Sequence, residues 1–155
     1  MNFSGPCDDR LAIRDLLDSF ADAQTREDQE LWASCWAEDA VWVTTQGEHR
    51  GKDRILAAWL AWNEAYHRAR VIVCRVTLNQ SAAIAVEGNR ATGRSYFSVA
   101  TFSQETDGPH LFYGMYRDEY VKVEGRWLFH KRVYDSIASV RVDNGPISPK
   151  GGGSR

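Results

Sequence analysis

At 155 residues, with 43% hydrophobic and 26% charged side chains, the chain has the size and balance of one globular domain with a core of its own. A formal net charge of -2, with no long Lys/Arg run, excludes the basic footprint of a binder of nucleic acid or of an acidic membrane surface. Cys7, Cys35 and Cys74 form no C-x-x-C pair, and Met1 to Arg10 carries no apolar leader, so the chain reads as soluble and cytoplasmic, with no zinc knuckle, redox motif or membrane span.

Three helices are expected first. After a short leader with Gly5 and Pro6, Leu11, Ile13, Leu16, Leu17, Phe20 and Ala21 recur at helical spacing. They predict a helix over about residues 8–24, capped by Asp8 or Asp9. Gln24 continues the apolar stripe as a polar side chain. Asp28 can cap a shorter second helix whose inner face is Leu31, Trp32, Cys35 and Trp36, with Glu38-Asp39 as its end. Ala40 to Thr45 is β-branched and aromatic and reads as a strand. Gln46 to Gly51 reads as a loop. Asp53 then opens a third helix carrying Ile55, Leu56, Trp59, Trp62 and Tyr66 to about His67.

Beyond His67 the period becomes two. Val71 to Leu78, Ala82 to Val86, Ala91 to Phe102, Phe112 to Val123 and Trp127 to Ser136 read as strands. Ser136 to Val142 can add one more. Glu87-Gly88-Asn89 and Glu124-Gly125 mark tight turns, and Gln104 to His110 a polar loop. Residues 1–143 form one domain on this reading, and residues 144–155, with two prolines and G-G-G-S, a flexible tail. Helices followed by antiparallel strands argue an α+β fold, the helices covering one face of the sheet.

The order and the local signatures resemble the SnoaL-like family of the nuclear-transport-factor-like superfamily. Residues 12–42, AIRDLLDSFADAQTREDQELWASCWAEDAVW, are similar to the family's two opening helices and its entry into the first strand through Trp36-Ala37-Glu38-Asp39-Ala40. Gly51-Lys52-Asp53-Arg54-Ile55 resembles the opening of its third helix, and YRDEYVKVEGRW, residues 116–127, its last hairpin. The resemblance spans roughly residues 8–136. It implies a cone-shaped half-barrel, three helices on a curved antiparallel or mixed sheet, with a small-molecule pocket inside.

The resemblance brings the pocket without its familiar chemistry. Where dehydratase-like members carry Tyr-Asp on helix one, this chain has Gln24-Thr25. Their strand histidine falls on Val71 or Thr77, depending on register, and a further histidine falls near Thr101. The phenol donor and the carboxylate base of steroid isomerases fall on Phe20 and near Thr44. Their second acid falls on Asp118, which the resemblance puts in the pocket. Gly114, Tyr116, Asp118 and Tyr120 share one strand face. Gln24, Tyr116, Tyr120, Thr44 or Arg75 can partner Asp118, whose role is either catalytic or that of a satisfied buried group.

The candidate catalytic residues are therefore Asp118 and Tyr116. Phe20, Gln24, Trp42, Thr44, His67, Phe97 and Thr101 are the candidate substrate contacts. His49 and His110 fall in loops, and His130 on an outward strand face. The outer sheet face carries Arg94, Tyr96, Arg117, Glu119, His130 and Arg132, a mixture suited to a homodimer or homotrimer contact. No metal-ligand spacing or phosphate-binding loop is present. The implied function is a cofactor-independent lyase or isomerase acting on a hydrophobic, cyclic, oxygenated substrate. The alternative is a non-catalytic binding or assembly subunit, like the small subunit of a ring-hydroxylating dioxygenase.

Overall fold

A computed structural model describes residues 3–68, 74–102 and 110–141. Three helices, α1 (Cys7–Arg26), α2 (Gln29–Ser34) and α3 (Lys52–Arg68), pack on six strands. The strands are β1 (Trp36–Thr44), β2 (Gly47–Arg50), β3 (Cys74–Glu87), β4 (Arg90–Phe102), β5 (His110–Val123) and β6 (Arg126–Arg141). They form one unclosed sheet in the order β2-β1-β6-β5-β4-β3. All neighbours are antiparallel except β1 and β6, which run parallel. The sheet curls around the apolar faces of the helices, so the fold is a mixed α+β cone. Among the described residues no helix is long and apolar enough to cross a membrane.

The helical stripe of α1 packs as its spacing predicts at Ile13, Leu16, Leu17 and Phe20, which are buried, but not at Leu11, which is 58% exposed and lies off the buried face. The first residue of α1 is Cys7, preceded by Pro6. Asp8 and Asp9 sit inside the first turn and neither caps it. Asp9 instead accepts from Lys122 Nζ at 2.7 Å and Trp127 Nε1 at 2.8 Å, tying α1 to the β5–β6 hairpin. Asp28 does cap α2, accepting from the Leu31 N–H at 2.9 Å.

Four of the expected element bounds need correction. Helix α2 stops at Ser34, and Trp36 already lies in β1 opposite Phe129. The Phe129 N–H donates to the Cys35 carbonyl at 2.9 Å, so pairing with β6 ends the helix before Glu38-Asp39. The 46–51 loop is mostly β2, hydrogen-bonded back onto β1. The two strands expected over 71–86 are one, β3, interrupted by a bulge between Ser81 and Ala83. The segment after Ser136 continues β6 to Arg141. The Glu124-Gly125 turn is as expected, both residues having positive φ, 48° and 81°. Val71, residues 104–109 of the expected loop and the expected tail, residues 144–155, fall outside the described residues.

Two bulges in β6 decide which side chains face inward. The β5–β6 register shifts between Glu119 and Tyr120 and again between Tyr113 and Gly114. At the first, Phe129 pairs with Tyr120 and Lys131 with Glu119, leaving His130 as the extra residue. Strict alternation puts Arg132 outside with His130. The bulge moves Arg132 opposite Asp118, on the inner face, where it is fully buried. The assignment of Arg132 to the outer face is therefore wrong. Arg94, Tyr96, Arg117 and Glu119 do face outward. Tyr96 is 42% exposed and Arg117 pairs with Asp135 at 2.8 Å.

The core is aromatic. Trp32 and Trp59 stack at 4.7 Å, and Trp36, Trp42, Phe20 and Phe129 close around them. All six are buried.

Candidate functional site

The open end of the cone holds a cavity of about 90 Å³, several times the about 10–15 Å³ that one enclosed water needs. Helix α1 contributes Phe20 and Gln24, β1 contributes Trp42 and Thr44, and β4 contributes Phe97 and Thr101. These are six of the seven expected substrate contacts. The seventh, His67, lies on α3 with its side chain outside the described ones. Tyr116 of β5 also lines the cavity. The reading from sequence missed Thr45, Trp62, Asn79, Val99, Phe112 and Tyr134 as lining residues, and Thr77 entered it only as one of two alternatives for the strand-histidine position. Inward parity on β3 to β6 locates Thr77, Asn79, Val99, Phe112 and Tyr134 once the register is known. None of the described lining side chains is charged.

The walls are built by ring packing. Phe97 stacks on Tyr116 at 4.7 Å, and Tyr134 meets both, at 5.6 and 5.8 Å. This requires Gly114, because a Cβ there would collide with the Phe97 ring and stand 2.8 Å from Tyr134 Cε2. Gln24 is anchored by its oxygen. Oε1 accepts from Trp32 Nε1 at 2.9 Å and Trp59 Nε1 at 2.8 Å. Indole nitrogens only donate, so the amide oxygen must face them. Thr25 does not face the cavity; its Oγ1 accepts the Thr77 backbone N–H at 2.9 Å.

Asp118 is inward, as the resemblance implies, and is 3% exposed, but it is not part of the cavity wall. It forms an ion pair with Arg132, Nε to Oδ1 3.0 Å. Tyr120 donates its hydroxyl to Asp118 Oδ2 at 3.0 Å, and Arg132 Nη2 donates to the same oxygen and to Ser95 Oγ, both at 3.3 Å. Neither partner that completes this network, Arg132 or Ser95, was among the candidates from sequence. The guanidinium lies over three rings, with Cζ 3.8 Å from the Tyr116 centroid, 4.1 Å from Phe129 and 4.4 Å from Phe20. Tyr116 and Phe20 therefore form a partition, with the cavity on one side and the charge pair on the other.

Burial raises the Asp118 carboxyl above its ordinary range, against the pull of Arg132, Tyr120 and Ser95. It is still a carboxylate at neutral pH. Arg132 cannot shed its proton, and a neutral Asp118 would leave a buried guanidinium with no counter-charge. Burial pushes the Tyr116 phenol up to about 12, with Arg132 opposing. Tyr116 is thus a neutral hydrogen-bond donor across the physiological range. Cys35 is pushed up to about 11 by burial and is not a nucleophile.

The histidines are placed differently from the sequence expectation. His110 opens β5 opposite Thr101, on the inner-face parity. Its ring lies 4.2 Å from that of Phe112, and Nε2 is 2.7 Å from Ser139 Oγ. His49 belongs to β2 and lines a smaller recess beside the cavity, sharing Trp42, Thr44 and Trp62 with it. His130 is the bulge residue, 3.5 Å from Asp39. Among the described residues no cluster of His, Cys, Asp and Glu suits a metal ion.

Comparison with known proteins supplies the context. The sequence model of the SnoaL-like domain matches residues 6–133. None of the curated proteins matches the chain. Among solved structures, a type-2 hexachlorocyclohexane dehydrochlorinase, LinA, is 21% identical with a TM-score of 0.74, over 92% of this chain and 95% of that one. A provisionally assigned scytalone dehydratase from Novosphingobium aromaticivorans is 18% identical with a TM-score of 0.73, over 94% and 95%. A provisionally assigned aromatic ring hydroxylase from the same organism is 20% identical with a TM-score of 0.75, over 90% and 96%. At these identities the likeness establishes the cone and leaves the chemistry to the site.

Proposed function

The chain belongs to the SnoaL-like domain family, and on that premise we propose that its cone is the site of a cofactor-independent lyase or isomerase. The substrate is a neutral, hydrophobic, cyclic, oxygenated small molecule. The observation that carries this reading is the aromatic, uncharged cavity ending on the neutral phenol of Tyr116. Phe20, Trp42 and Phe97 hold the ring. Gln24, Thr44 and Thr101, whose oxygens are held by hydrogen bonds within the protein, shape the wall around it. The names of the similar structures, a dehydrochlorinase and a dehydratase, support elimination as the reaction class.

Tyr116 donates its hydroxyl to the substrate oxygen on which negative charge develops. The guanidinium under its ring favours that charge, so the donor strengthens as the reaction proceeds. Asp118 acts through Arg132 as a positioning residue and touches no substrate. The carbon-bound proton goes to His110, whose ring lies 4.2 Å from that of the lining residue Phe112. The electrons of the broken C–H bond expel the neighbouring substituent in an elimination or take a proton back at another carbon in an isomerisation. The test is deuterium uptake from D2O into a panel of bicyclic ketones, read by NMR. The protein is expected to accelerate exchange beside the carbonyl, and Tyr116→Phe to slow it by about 10²-fold. No acceleration with any ketone overturns the proposal.

A second reading is an assembly role through the outer sheet face. Leu78 and Ile137 are 64% and 58% exposed there, alongside Tyr96, Tyr113 and Val140. An apolar face of this kind suits a homodimer or homotrimer. Sedimentation equilibrium showing a monomer at micromolar concentration overturns it.

A further inference from the structure

The polar atoms around the cavity divide into two groups. Some are committed to the protein. Gln24 Oε1 holds two indoles, Thr44 Oγ1 accepts from the Gln46 N–H at 3.1 Å, and Thr101 Oγ1 donates to the His110 carbonyl at 3.3 Å. Others have no hydrogen-bond partner among the described residues. These are Thr77 Oγ1 and Asn79 Oδ1 on β3, and Trp42 Nε1 across the cavity on β1. Thr77 is 8% exposed and Trp42 3%. Folded proteins rarely leave buried polar atoms unpaired, and here three belong to residues lining one cavity. β1 and β3 lie far apart in the sheet order, so the curvature of the sheet brings them to opposite sides of one space.

We propose that Thr77 and Asn79 are the specificity-determining residues of this pocket and read a hydroxyl group on the ligand ring. The inference rests on the functional reading above and deepens it. Thr77 and Asn79 are two residues apart on one strand, so both side chains point to the same face. A ligand hydroxyl there donates to Asn79 Oδ1 and accepts from the Thr77 hydroxyl. Trp42 Nε1 meets an oxygen on the far side of the ring. A ligand without the hydroxyl displaces water from these atoms without replacing its hydrogen bonds, and binds less tightly for that reason. The uncharged lining selects against ionised ligands.

The test uses naphthalene, 2-methoxynaphthalene and 2-naphthol as probes, with titration calorimetry on the full chain. The wild-type protein is expected to bind 2-naphthol about tenfold more tightly than 2-methoxynaphthalene. Thr77→Val is isosteric and keeps the backbone N–H that Thr25 accepts. Combined with Asn79→Leu, it is expected to abolish the tenfold preference while keeping naphthalene affinity. If the double variant melts out, Thr77→Val alone is expected to lower the preference to about threefold. Equal binding of all three probes by the wild type overturns this inference and leaves the pocket reading standing. A preference that survives in the variants also overturns it. No binding of any probe removes the pocket reading and this inference together.

Discussion

Replacing Arg132 with Met tests the partition beneath the cavity. The substitution keeps the apolar stem and removes a guanidinium that is fully buried against Asp118. Breaking a buried pair from one side costs about 3–5 kcal/mol, because the other charge is left unpaired. The three ring contacts, at 3.8, 4.1 and 4.4 Å, add a loss on the order of 1 kcal/mol. A lowering of Tm by roughly 10–15 °C follows for a domain of this size. Asp118→Leu alone strands the guanidinium and costs a similar amount. The double variant, Asp118→Leu with Arg132→Met, strands neither charge. It is expected within about 2 kcal/mol of the wild type, the remainder being the Tyr120 hydroxyl left without its acceptor.

The assay is urea unfolding of all four proteins, followed by the fluorescence of the six tryptophans. The acid limb adds a sign. In Arg132→Met the carboxyl loses the group that lowers its pKa, so its folded value rises further above the ordinary 3.8. A raised carboxyl is least unfavourable when protonated, so the variant's deficit is smallest at low pH and grows as pH rises through the folded value. The reasoning is refuted if the two single costs simply add in the double variant, or if Arg132→Met costs under about 1 kcal/mol.

Gln24→Leu removes the only oxygen serving both Trp32 and Trp59 among the described contacts, and is expected to cost about 2–4 kcal/mol in urea unfolding. Gln24→Glu keeps the acceptor and is the control; an equal loss in both variants shows that the indole bonds are not the cause. Asp9 is held below its ordinary 3.8 by Lys122 and Trp127. A depressed carboxyl stabilises the fold above its unfolded pKa and loses that contribution as pH falls through the folded value. The Tm gap between the wild type and Asp9→Asn is therefore expected at pH 7 and expected to close in strong acid. A gap independent of pH refutes the role of the carboxylate charge.

Much of the cone was legible because its signals are local. The apolar stripe of α1, the Asp28 cap and the Glu124-Gly125 turn each depend on a few neighbouring residues. The cavity wall was legible in part for the same reason. Phe20 and Gln24 lie on one helix stripe, and Phe97 and Thr101 share a strand parity. Arg132 was not legible, because the bulge at His130 reverses the parity on which its placement depended. Trp36 was misplaced in a helix because the pairing with Phe129 that makes it a strand residue lies at the other end of the chain. His110 looked like a loop residue until β5 was seen to begin with it.

The amino-acid sequence alone determined the periods, the caps and the tight turns. It therefore determined an α+β chain with an aromatic interior, since those features need only hydrophobic spacing and local backbone preference. The tertiary structure decided what faces what. A register shift of a single residue set Arg132 on Asp118, and the rings of Tyr116 and Phe20 part that pair from the cavity. The curl of the sheet set Thr77 and Asn79 across from Trp42. A shift by one residue costs little locally but turns a side chain to the other face of a strand, so only the assembled sheet chooses between the two.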